Sequence, residues 1–172
     1  MKVLGIDPGT AVLGYGVVES GPGQHPRLLE CGTLTTAARD PLPARLRVIH
    51  DGTTALLSRH APDAMAVESA FYGKNVRTTV VLSHARGVIL LAAEQAGVPI
   101  AEYSPAQVKK TVVGRGAALK PQVAYMVAQL LRLRTPPAPP DAADGVALAL
   151  THLLIAARRA AFFRQVTGGG AR

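Results

Sequence analysis

Several things are scarce in this chain of 172 residues. It has one cysteine, Cys31, no tryptophan, and an aromatic share of only 4%. A lone thiol excludes an internal disulfide and a cysteine-rich zinc site, and it suits a reducing compartment. The five histidines are scattered without ligand spacing, so each reads as a surface or packing residue. With so few aromatic rings, Ala, Val and Leu must fill the core. A chain that is 48% hydrophobic can do so as a single domain over 1–166, followed by a disordered Gly-rich tail over 167–172. The start of the chain lacks the charged-then-apolar layout of a secretion signal, because its apolar run meets Asp7 almost at once. No apolar stretch reads as long enough to span a membrane, 87–93 included, so a soluble cytoplasmic protein with no membrane partner is expected. Negative charge is scarce as well. Eleven acidic residues face nineteen basic ones, a net of +8 that suits either a polyanionic partner or a solvated basic surface.

Local patterning gives five strands and five helices. Residues 2–7 and 14–20 read as strands joined by a Gly/Pro turn, and a third covers 27–36. Leu42, Leu46, Ile49, Thr53, Leu56 and Leu57 recur at helical spacing. A fourth strand spans 63–72, a nearly all-round apolar helix 76–96, and a fifth strand 98–103. Ser104-Pro105 is a helix start, a capping residue and then Pro. Two more helices follow, over 123–133 and 141–163, with the Pro-rich "RTPPAPP" between them. Three early strands and then alternating helices and strands predict an α/β fold, a mixed sheet with helices on its faces.

The rare acidic residues stand in unusual places. Asp7 ends an apolar strand, and Glu68 stands near the end of another, in "AMAVESAFY". If those strands are parallel neighbours, the two carboxylates meet at the edge where open α/β sheets collect ligands. Asp141 and Asp144 are spaced i and i+3, so one helical face presents both, in a first turn where the dipole favours negative charge. Each has an ordinary explanation: Asp141 as a helix cap, Glu68 as the partner of a buried Arg, Asp7 as a turn residue. Together they would form an all-oxygen cluster that divalent cations neutralise, suiting Mg²⁺ or Mn²⁺. Two such ions roughly 4 Å apart would clamp the attacking water and the leaving oxygen of a phosphodiester. Setting these four aside leaves seven acidic residues against nineteen basic ones. An acidic pocket inside a basic protein is the layout of a nuclease.

The motifs resemble those of the RuvC-type Holliday-junction endonucleases of bacteria. The resemblance runs over nearly the whole chain, through "GIDPGT", "VESAFYGKN", "ARGV", "QVKKTVVGRG", "LKPQV", "DAADGVALA" and "ALTHLLIA" in that order. It implies a ribonuclease H-like fold with a five-stranded mixed sheet flanked by helices. It also implies a homodimer that cuts two opposed strands of a four-way DNA junction with Mg²⁺ or Mn²⁺, working with a branch-migration helicase complex of the RuvA and RuvB type. Asp7, Glu68, Asp141 and Asp144 fall on the family's catalytic, metal-binding positions. Lys109 and Lys120 fall on its DNA contacts, and Phe71 on an aromatic reaching into the junction. Lys74, Arg77 and Arg115 would hold further phosphates, which supply affinity and register rather than sequence information. There are departures: Gly145 where many relatives carry Ala, His84 where Gln or Glu is usual, and Pro121 where a small polar residue is common. Two other functions fit parts of the pattern. One is a non-cutting nucleic-acid module on the same fold, which should lack a carboxylate. The other is an ATP-binding lobe of the actin and Hsp70 type, whose first phosphate loop "GIDPGT" also resembles. That lobe would need a second such loop to enclose a nucleotide.

Overall fold

The computed structural model describes residues 1–21, 23–69 and 76–168, with side chains to residue 166. Its elements are β1 (Lys2–Asp7), β2 (Val12–Glu19), β3 (Arg27–Thr35), α1 (Leu42–His60), β4 (Ala64–Glu68), α2 (Val76–Gln95), β5 (Ile100–Tyr103), α3 (Pro105–Val113), α4 (Lys120–Leu130) and α5 (Pro140–Gly168). The strands form one mixed sheet in the order β3-β2-β1-β4-β5. The β1–β2 and β2–β3 pairs are antiparallel, while β1–β4 and β4–β5 are parallel.

Strand periodicity decides what each face carries. From β1, Leu4 and Ile6 join a core with Ile49 and Leu56 of α1 and Ile89 and Ala92 of α2. Val3 points the other way, into a core with Val108 of α3, Val127 of α4 and Val146 and Leu150 of α5. Asp7 has the parity of Val3, and Glu68 that of Ala66, which also belongs to the second core. Both carboxylates therefore face α5.

Helix α5 lies unusually close to the sheet. A Cβ on Gly5 would overlap the Gly145 carbonyl, and one on Gly145 would sit 2.6 Å from the Tyr15 Cα. Gly145 is thus not a weak point in a helix interior. It allows backbone-on-backbone contact where α5 crosses β2. Pro121 is equally ordinary in place, within the first turn of α4, where its missing N–H costs nothing. The Ser104 cap is also present: its hydroxyl accepts from Gln107 N–H, and Gln107 Oε1 accepts from Ser104 N–H.

Several expected boundaries move. Strand β4 ends at Glu68 rather than at 72; Ser69 N–H still bonds to the Tyr103 carbonyl, and 70–75 lie outside the described residues. Strand β5 starts at 100, since Val98 N–H closes onto Ala93 at the end of α2. Helix α4 begins three residues early and stops at Leu130, ahead of Arg132 at φ 54. Helix α5 runs to Gly168, so 167–168 are helical, and the rest of the expected tail lies outside the described residues. Contrary to the sequence reading, Val76–Gln95 and Pro140–Val166 are each long and apolar enough to cross a membrane by length and composition. Helix α5 spends that apolarity on the sheet, packing on β1, β2, β3 and β4.

Candidate active site

The parallel register Ile6↔Val67 brings Asp7 and Glu68, the next residues, side by side at the carboxyl edge of the sheet. The first turns of α5 meet them there. That helix begins at Pro140, so Asp141 lies inside its first turn rather than at the cap. Asp144, one turn on, lines a cleft of about 230 Å³ with Asp7, Glu68, Lys109 and Lys120. Asp141 stands at the rim.

The electrostatics show one shared site. Burial, then the charges of Glu68, Asp144 and Asp141, opposed by Lys120, push the Asp7 carboxyl from 3.8 up to about 7. Burial first and Asp144 second raise Glu68, again against Lys120. The pull is mutual. Lys120 Nζ donates to Asp144 Oδ2 at 2.7 Å, and that bond, together with the charges of Asp144, Asp7 and Asp141, raises the ammonium above its ordinary value despite partial burial. Among the described residues, no three His, Cys, Asp or Glu side chains converge tightly enough to hold an ion as they stand. Lys120 is bonded to Asp144, and the donor set is hard oxygen with excess negative charge. That set fits a divalent cation.

The other sequence candidates divide. Lys109 and Lys120 reach the cleft. Arg77, at the start of α2, and Arg115, between α3 and α4, are exposed and do not line it. Phe71 and Lys74 lie outside the described residues. Sequence reasoning missed Arg86. Its Nε donates to the Glu68 carbonyl at 3.3 Å and its guanidinium pairs with Glu102 at 2.5 Å, tying α2 to the ends of β4 and β5. The only signal for it was its place in "ARGV". A buried Arg, unspecified, is one ordinary partner to expect for the Glu68 carboxylate; Arg86 bonds instead to the backbone carbonyl of that residue.

A five-stranded mixed sheet of this order, with acidic side chains at one edge under a long helix, places the chain in the ribonuclease H-like class. A family model described as crossover junction endodeoxyribonuclease RuvC matches residues 3–152, and the chain belongs to that family of endonucleases. It is 50% identical over 153 residues to the crossover junction endodeoxyribonuclease RuvC of Syntrophomonas wolfei, covering 89% of this chain and 88% of that one. To the protein of the same name from Halorhodospira halophila it is 46% identical over 171 residues, 99% of each chain. The solved structure of Thermus thermophilus RuvC in complex with a Holliday junction substrate superposes with a TM-score of 0.83 at 37% identity, covering 91% of this chain and 95% of that one. This membership accounts for "GIDPGT" without an ATP-binding lobe.

Proposed function

We propose that this chain resolves four-way DNA junctions by metal-dependent hydrolysis of two opposed phosphodiesters, with Asp7, Glu68, Asp141 and Asp144 as its catalytic carboxylates. The observation that carries the reading is the strained charge of Asp7. A carboxyl pushed to about 7 by burial and by three neighbouring carboxylates is a site that gains most from a bound cation. Asp7 is central, the ligand best placed to be shared. Glu68 and Asp144 flank it, and Asp141 completes the set from the rim. Mg²⁺ or Mn²⁺, in a pair, supplies Lewis-acid activation of water and neutralises the scissile phosphate when bound. Lys120 exchanges Asp144 for a phosphate oxygen as DNA arrives, and Lys109, on the same wall, holds a second phosphate. Phe71, Lys74, Arg77 and Arg115 serve the arms and the crossover, Phe71 as an aromatic that stacks on an unpaired base.

Paired cuts need two sites related by a two-fold axis, so the active form is a homodimer. Its interface is the outer face of α2, where Val80, His84, Gly87 and Leu91 form a stripe at helical spacing beside Leu46 of α1. Val80 and Leu91 are half-exposed there, while Leu90 packs against the α1–α2 core. A branch-migration helicase complex of the RuvA and RuvB type is the expected upstream partner. The decisive experiment incubates the protein with Mg²⁺ and either a synthetic four-way junction or a linear duplex of the same sequence. Symmetric paired nicks in the junction alone are expected. Equal cutting of both substrates, or of neither, overturns the reading.

A further inference from the structure

Strand β4 ends at Glu68, and its last carbonyl takes its hydrogen bond from a side chain. Met65 N–H and Ser69 N–H donate to the Pro99 and Tyr103 carbonyls on the β5 side. Backbone groups alternate sides along a strand, so Glu68, one residue before Ser69, turns its carbonyl towards β1. The register Ile6↔Val67 puts Asp7 level with Glu68, and a parallel ladder would draw the donor from the residue after Asp7. That residue is Pro8, which has no N–H. Arg86 of α2 fills the gap: its Nε donates to the Glu68 carbonyl at 3.3 Å. Pro8, Glu68, Ser69 and Arg86 line one small hollow of about 50 Å³, so the proline and the arginine stand on the same side of the strand end.

The arginine is itself held. Its side chain is only 14% exposed, and its guanidinium pairs with Glu102, the register partner of Val67. A guanidinium carries its donors in a fixed fork, so one group serves the carbonyl and the carboxylate together. Burial and the charges of Asp144 and Lys120 set the Glu68 carboxyl, whereas Arg86 touches the main chain. We propose that Arg86 is a positioning residue for metal binding: it supplies the donor that Pro8 lacks and fixes the backbone from which the Glu68 carboxylate stands beside Asp7. The proposal rests on the metal-dependent function above. Without Arg86, the last carbonyl of β4 has no donor from β1, and the strand end loosens where Glu68 must meet Asp7. Groups that orient a metal ligand from behind commonly carry roughly 10–100-fold of metal affinity.

The test measures Mn²⁺ binding to the protein without DNA, from the electron paramagnetic resonance signal of free Mn²⁺. Arg86→Met should raise the Kd for Mn²⁺ roughly 10–100-fold. Its junction binding in EDTA should match wild type, and its cutting should fall at low Mn²⁺ and return as Mn²⁺ is raised. Glu102→Gln keeps an acceptor for the guanidinium and should retain wild-type Mn²⁺ affinity. If Arg86→Met melts early, Arg86→Lys decides: an ammonium lacks the fork that serves both acceptors, and Mn²⁺ binding should weaken likewise. Wild-type Mn²⁺ affinity in a folded Arg86 variant overturns the proposal. So does an equal loss in Glu102→Gln, which would make the ion pair, not the Glu68 carbonyl, the element that matters. A wild type that neither cuts junctions nor binds Mn²⁺ overturns the functional reading instead.

Discussion

Gly14 of β2 lies directly beneath the backbone of Asp141, so close that a Cβ at position 14 would overlap the Asp141 carbonyl oxygen. Gly14 is also the register partner of Asp7. One hydrogen-only side chain thus lets the first turn of α5 descend to the strand edge that carries the candidate nucleophile-activating carboxylates. Gly14→Ala should lift that turn and separate Asp141 and Asp144 from Asp7. Overpacking of this kind costs about 1–3 kcal/mol. Cutting should fall much further than stability does, and melting curves measured beside junction cleavage would show it. A variant that cuts normally would show that the site does not depend on this contact.

Replacing each carboxylate by its amide keeps shape and removes a charge. Asp7→Asn, Glu68→Gln and Asp144→Asn should each reduce cleavage on the order of 100-fold or more. Asp141→Asn, at the rim, should lose least. Junction binding in gel shift should persist or tighten in all four, because repulsion of the phosphates is relieved. Full activity in Asp7→Asn would contradict the shared-ligand role.

The raised Asp7 carboxyl makes stability depend on pH in a known direction. Its value is 3.8 ordinarily and about 7 in the folded chain. The protonated form is the one folding favours, so this contribution is full below 3.8 and is lost as the pH rises through about 7. In EDTA, Asp7→Asn should melt above wild type at pH 8 by roughly 1–3 kcal/mol, and the gap should close towards pH 4. An equal gap at both values would mean that the carboxyl is not strained.

Lys120 answers to two partners. Lys120→Ala should weaken junction binding at low salt, and the slope of log affinity against log salt should become shallower by about one counterion. An unchanged slope would leave Lys120 with Asp144 alone.

For assembly, the structure selects Leu91 over Leu90. Leu91 is 50% exposed on the outer face of α2, whereas Leu90 is packed inward. Leu91→Glu should convert a sedimenting dimer to monomer at micromolar concentration and replace paired cuts by single nicks. Unaltered sedimentation would move the interface elsewhere.

Much of the site was legible along the chain because local patterns encode it. A charge at the end of an apolar strand singled out Asp7 and Glu68, and i, i+3 spacing placed Asp141 and Asp144 on one helical face. The five strands, the Ser104 cap and the α/β alternation follow from periods of two and about 3.6 residues, which each segment carries by itself. What no segment carries is its partner. The parallel register Ile6↔Val67, the descent of α5 onto Gly14 and Gly16, the reach of Lys120 to Asp144 and of Arg86 to the Glu68 backbone all join residues far apart in sequence. Packing chose among them: small residues let backbones approach, and burial then set which carboxylate bears the greatest strain. The same packing turned Leu90 inward and Leu91 outward.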